Sequence, residues 1–171
     1  MRILVADDHA VVRSGLKTIL GAKAGWEVCG EAATGNEAVA LAVKLRPDVA
    51  ILDLNMPGIS GLAAIARIKK IAPKVEAVVL TCHYSKPLLR AVLESGALGF
   101  VLKADTDRDL ITAVEAASHR QFFISRQAET GAAATSLTAE SFTKAFAEHE
   151  ALTSEERSQV RLISKRLRQI L

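Results

Sequence analysis

Aromatic residues are scarce in this chain, at 4% of its 171 residues, which argues against the stacked-base platforms that hold single-stranded nucleic acid. Cysteine is scarcer still. Cys29 and Cys82 are the two, with neither CxxC spacing nor a histidine cluster, so no disulfide framework or zinc site is expected and both read as buried reduced thiols. No apolar run approaches the ~18 residues of a membrane span. Arg2 leads straight into a strand where a signal peptide would place its apolar core. The expected location is therefore cytoplasmic, with no membrane partner. A P-loop string and a GxGxxG fingerprint are also missing, which leaves no signal for a nucleotide.

What is present is a chain that is 50% hydrophobic, long enough for one domain of ~100 to 150 residues and an appendage. Short apolar runs alternate with longer amphipathic ones through residue 118, the pattern of a doubly wound α/β domain with a parallel sheet. The runs predict five strands at 2–6, 26–31, 48–52, 76–80 and 98–102, with helices near 9–20, 36–45, 61–71, 87–94 and 107–118. Thr34 with Glu37 forms a capping box, Ser60 precedes a helix start, and Pro87 suits a first helical position. Residues 129–141 are mostly Ala, Thr, Ser and Gly, a linker composition, after which Phe142 and Phe146 stand at i, i+4 spacing. A second capping box, Thr153 with Glu156, opens a last helix with Val160, Ile163, Leu167 and Ile170 on one face. The net charge of +3 comes from this tail, where Arg157, Arg161, Lys165, Arg166 and Arg168 outweigh Glu155 and Glu156. A solvated basic helix accounts for that excess, and DNA or an acidic partner is the other reading.

The chemistry concentrates at strand ends. Asp7 and Asp8 follow Ile3-Leu4-Val5-Ala6, and Asp53 follows Val49-Ala50-Ile51-Leu52. Buried parallel strands that end in carboxylates bring those anions to one face, where they repel unless a cation neutralises them. A divalent metal is therefore expected. Thr81 ends a fourth run and Lys103 a fifth, adding a hydroxyl and an amine. Each residue alone has an ordinary role: Asp caps helices, Thr suits strands, and Lys is solvated. In this order and context they act as a unit.

Together these residues resemble the receiver domain of two-component response regulators over residues 1–118. The resemblance implies a flavodoxin-like five-stranded parallel sheet of order 2-1-3-4-5. It also implies a phosphoryl group accepted on Asp53 from a sensor histidine kinase, and Mg²⁺ held by Asp7, Asp8, Asp53 and the backbone carbonyl of Asn55. Thr81 and Lys103 would bind the phosphoryl oxygens. Phe100 matches the aromatic switch position that swings inward, and Cys82 and His83 lie where side chains control access to the phosphoryl site. For Phe100 an ordinary strand residue is the other reading, and for His83 a surface-loop histidine. Ala104 follows Lys103 where many receivers have Pro, so a cis peptide is not presumed there. A haloacid-dehalogenase-like phosphatase would want a second carboxylate two positions after Asp53, where this chain has Asn55. The chain is thus not expected to be an enzyme beyond self-directed phosphoryl transfer and dephosphorylation.

The opening Met1–His9, the string Gly99–Ala104 and the later Leu152-Thr153 are similar to the NarL/FixJ family with LuxR-type output. The resemblance implies residues 1–118 as receiver, 119–150 as a partly helical linker, and 151–171 as the first-helix fragment of a DNA-binding domain. Glu155, Lys165 and Arg166 depart from the family pattern, and no recognition helix follows within this sequence. Specific DNA reading needs that helix in the major groove, so it is not expected of this chain. The expectation is a phosphorylation-controlled transcription regulator or, alternatively, a protein-interaction switch that has lost DNA binding. The resemblance leaves room for a homodimer.

Overall fold

Four of the predicted apolar runs become strands buried along almost their whole length, because helices cover both faces of the sheet they form. A computed structural model describes residues 1–125, which lie within one compact unit, Met1–Ala128; the tail residues discussed above lie outside the described residues. The element order is β1 (Arg2–Ala6), α1 (Ala10–Gly21), β2 (Glu27–Ala32), α2 (Gly35–Leu45), β3 (Val49–Asp53), α3 (Gly61–Ile71), β4 (Glu76–Thr81), α4 (Lys86–Glu94) and β5 (Gly99–Leu102). A 3₁₀ turn (Lys103–Asp105), α5 (Thr106–Ser118) and β6 (Phe123–Ile124) follow.

All strand pairs are parallel, in the order β2-β1-β3-β4-β5-β6. The expected order is thus present, with one correction: the sheet has a sixth, two-residue strand beyond residue 118. Phe123 N donates to Leu98 O at 2.8 Å and Ser125 N to Phe100 O at 2.9 Å. β6 covers the edge that β5 would otherwise expose, which is why β5 is buried throughout while β2, on the opposite edge, is only half-buried.

Side chains alternate across the sheet. Ile3, Val5, Val49, Ile51, Val78, Leu80 and Val101 pack with Leu16 and Leu20 of α1 and Leu110 and Val114 of α5 on one face. On the other, Ala38 and Ala42 of α2 and Ala64 and Ile65 of α3 are fully buried. The caps form as read. Thr34 Oγ1 accepts from Glu37 N at 3.2 Å while Glu37 Oε2 accepts from Ala33 N at 2.8 Å, and Ser60 Oγ accepts from Ala63 N at 3.3 Å. Pro87 sits second in α4, behind the Ser85 cap. There is no cis peptide among the described residues.

The turn after Asp53 is packed on backbone. Gly61 N donates to Leu54 O at 3.0 Å, and a Cβ at Gly61 would lie 2.1 Å from Asp53 O. A side chain there must displace the backbone that carries Asp53. Gly61→Ala is expected to destabilise the fold by about 1–3 kcal/mol, the usual cost of overpacking, and a lowered urea midpoint against wild type checks this.

Candidate functional site

The strands deliver their ends to one edge of the sheet. Asp7 follows β1, Asp53 ends β3, Thr81 ends β4, and Lys103 begins the turn after β5. The chain leaves β1 for β2 on one side and returns to β3 on the other, so Asp7, Asp8 and Asp53 flank the point where strand order reverses, the place where open α/β sheets bind ligands.

Lys103 Nζ lies 2.7 Å from Asp7 Oδ2 and 3.3 Å from Asp53 Oδ1, bridging two carboxylates whose side chains are 1% and 5% exposed. Burial pushes the Lys103 ammonium pKa down, but the hydrogen bond to Asp7 and the charges of Asp53 and Asp7 outweigh it and hold the pKa above the ordinary lysine value. Asp7 Oδ1 accepts from His9 N at 2.9 Å, and Asp7 O accepts from an Arg13 guanidinium N–H at 2.8 Å. Asp8 is more exposed, with His9 Nδ1 2.7 Å from its Oδ1. Ligand atoms of Asp7, Asp8 and His9 all lie within 4.8 Å of one another.

Two carboxylates therefore share one ammonium and a third, Asp8, lies beside Asp7, leaving an excess of negative charge and hard oxygen donors. That donor set fits a divalent ion such as Mg²⁺, which favours few carboxylates together with waters and phosphate oxygens. Asn55 lies in the exposed turn beyond Asp53.

The remaining expected residues surround this centre without joining it. The Thr81 hydroxyl accepts from His83 N at 3.3 Å and reaches His83 O at 3.4 Å, so its partners are in its own loop. His83 is exposed, as its surface-loop reading predicts. Cys82 is exposed too, which corrects the expectation of a buried thiol: it stands one residue past the end of β4, where the chain leaves the core. Cys29 is half-buried, its thiol donating to Ile3 O at 3.4 Å and pushed to higher pKa by burial. Phe100 is fully buried, its ring already inside and edge-on to Tyr84 at 6.0 Å and 89°.

His9, Arg13 and Tyr84 are parts of the site region that the sequence reading passed over. Arg13 stands four residues after His9 and so shares its side of α1, a spacing that was available as a signal. Nothing in sequence links Tyr84 to Phe100.

A family model for the response regulator receiver domain matches residues 3–115. The chain is similar to the oxygen regulatory protein NreC of Staphylococcus epidermidis, 41% identical over 131 residues, which is 76% of this chain and 60% of that protein. It is also similar to the transcriptional regulatory protein LiaR of Bacillus subtilis, 40% identical over 69% of this chain and 56% of that one. This chain thus spans little more than half the length of these curated relatives. Among solved structures it superposes on a LuxR-family two-component response regulator from Aurantimonas sp. with a TM-score of 0.74 and 29% identity, covering 78% of this chain and 95% of that one. The receiver domain of the NarL response regulator from Mycobacterium tuberculosis gives a TM-score of 0.66 and 31% identity, over 69% and 95% of the two chains. Family model and fold agree across the same residues, and the chain belongs to the response regulator receiver family.

Proposed function

We propose that Asp53 is the phosphoryl acceptor of a two-component response regulator, and that Asp7, Asp8, Asp53 and the Asn55 carbonyl hold Mg²⁺ beside it. The observation that carries this reading is the Lys103 ammonium set between two buried carboxylates at the switch point of the sheet. In the step proposed, an Asp53 carboxylate oxygen attacks phosphorus in line. The P–N bond to a sensor kinase's phosphohistidine breaks, and the imidazole leaves with that electron pair and takes up a proton. The bound cation would neutralise charge on the transferring group. Lys103 needs only a small movement to exchange a carboxylate oxygen for a phosphoryl oxygen. Thr81 can exchange the His83 carbonyl for a phosphoryl oxygen, which pulls on the loop before α4. Cys82 and His83, exposed at the rim, flank the path of the water that later hydrolyses the acyl phosphate.

The curated relatives are named as regulators, LiaR as a transcriptional one. That favours a transcription regulator over an interaction switch that has lost DNA binding. The reading takes the chain as cytoplasmic, with a sensor histidine kinase as partner and a homodimer as the form that phosphorylation promotes. It takes the receiver unit through β6, and keeps the following residues as linker and 151–171 as the start of a LuxR-type DNA-binding domain.

Acetyl phosphate is expected to label the protein once, at Asp53, and only with Mg²⁺ present. Mass spectrometry with and without chelator checks this, and labelling that persists in Asp53→Asn would sink the assignment. Asp8→Ala removes an oxygen ligand and is expected to weaken Mg²⁺ binding by about tenfold or more, at least the cost of losing a supporting residue behind a ligand. Calorimetric titration measures it.

Lys103→Ala acts in the opposite sense on the metal. It removes a cation that competes for Asp7 and Asp53, so Mg²⁺ binds several-fold more tightly in the same titration, while phosphorylation no longer alters hydrogen exchange in the loop around His83. Weaker Mg²⁺ binding in this variant would contradict the role given to the ammonium.

A further inference from the structure

Ser125 is fully buried, with none of its surface exposed. It follows directly on β6, and its backbone N–H donates to Phe100 O at 2.9 Å. In a continuing parallel ladder the next rung would run from Leu102 N–H to the backbone carbonyl of residue 125. Here the Ser125 hydroxyl accepts that bond instead, at 3.2 Å. A side chain thus closes the sheet at the residue immediately before Lys103.

Leu102 is held from both sides at this rung. On one flank it pairs with Thr81 of β4, and on the other it meets Ser125. The two residues expected to bind phosphoryl oxygens, Thr81 and Lys103, are therefore an immediate neighbour across the ladder and along the chain from one backbone unit. Lys103 must reach Asp7 at 2.7 Å and Asp53 at 3.3 Å from a half-buried stem, and groups of this kind work only when their supporting shell fixes them to within about 0.5 Å. Without the hydroxyl, the buried Leu102 N–H is left without this acceptor, which costs more than the bond itself contributes. The backbone then has reason to shift, and Lys103 shifts with it.

We propose that Ser125 is a positioning residue for Lys103: its hydroxyl, by ending the sheet at Leu102, sets the reach of the ammonium to Asp53 and ties the chain leaving the receiver to the phosphoryl site. This rests on the reading of Asp53 as phosphoryl acceptor. It also gives a chemical role to a residue on the far side of α5, beyond the stretch of sequence that holds the other site residues.

The test uses the full 171-residue chain, with acetyl phosphate and Mg²⁺ as probes, in wild type, Ser125→Ala and Ser125→Thr. Ser125→Ala is expected to slow phosphorylation of Asp53 by about two- to tenfold, the factor that one net hydrogen bond supplies. Mg²⁺ affinity should not fall, because the oxygen ligands are untouched and a displaced Lys103 competes less for Asp7 and Asp53. Ser125→Thr, which keeps the hydroxyl, should restore the rate. In a Lys103→Ala background, Ser125→Ala should add no further slowing, since residues that act through one another are not additive. A wild-type rate in Ser125→Ala, equal slowing in the Lys103→Ala background, or a parallel loss of Mg²⁺ affinity would each overturn the proposal.

Should wild type itself fail to label at Asp53, the acceptor reading is what has failed. The positioning claim is then decided without phosphorylation, by the ¹⁵N resonance of the Lys103 ammonium and amide exchange at Leu102. Both should change in Ser125→Ala and return in Ser125→Thr. An unchanged ammonium resonance would refute the claim.

Discussion

Everything in the site depends on keeping three carboxylates at one end of a low-dielectric sheet. Two unit charges 4 Å apart repel by about 4 kcal/mol at an effective dielectric near 20, and Asp7 and Asp53 are both buried. Lys103 makes that arrangement tolerable by lying within 2.7 Å of one and 3.3 Å of the other. The cation comes from a strand two places away from β3 in the sheet, and it arrives because β4 and β5 pair in the register that sets Thr81 opposite Leu102. A one-residue slip of β5 would carry Lys103 away and leave the carboxylates to repel.

Around that ion cluster the structure divides into a close-packed floor and an exposed rim. The floor is backbone against backbone: Gly61 under the Asp53 carbonyl and Gly35 against the Ile59 carbonyl leave no room for a side chain. Arg13 adds a guanidinium bond to the carbonyl of Asp7. At the rim, the Thr81 hydroxyl bonds the backbone of its own loop, and Cys82 and His83 face solvent. A carboxylate on a close-packed floor, with a loop nearby fastened by exchangeable hydrogen bonds, suits the proposed phosphoryl acceptor, which must both position a reactant and report its arrival. Tyr84 extends this contrast, because its ring meets the buried Phe100 while its hydroxyl is buried without a hydrogen-bond partner among the described residues.

The errors of sequence reading follow from scale. Long apolar runs such as Val49–Leu52 carry enough periodicity to place a strand and its end, so the strand-end positions of Asp7, Asp53, Thr81 and Lys103 are legible in the sequence. Phe123–Ile124 is too short a strand to stand out, although Phe122-Phe123-Ile124 is a run of strand formers. Cys82 adjoins the apolar run of β4, and so looked buried; the chain turns out of the core one residue earlier, after Thr81.

The order of strand ends and their residue types were thus determined by sequence alone, because burial of parallel strands dictates both the pattern and the side on which the carboxylates emerge. The turns fall in the same class, since Thr34, Ser60 and Ser85 cap their helices by local hydrogen bonds that involve no distant partner. Tertiary structure alone decided which partner each polar group takes. Lys103 meets Asp7 across 96 positions of chain, and Ser125 meets Leu102 across 23. Such pairs carry no local signature, because they exist only once the sheet has set its register and brought separate strand ends within hydrogen-bonding distance.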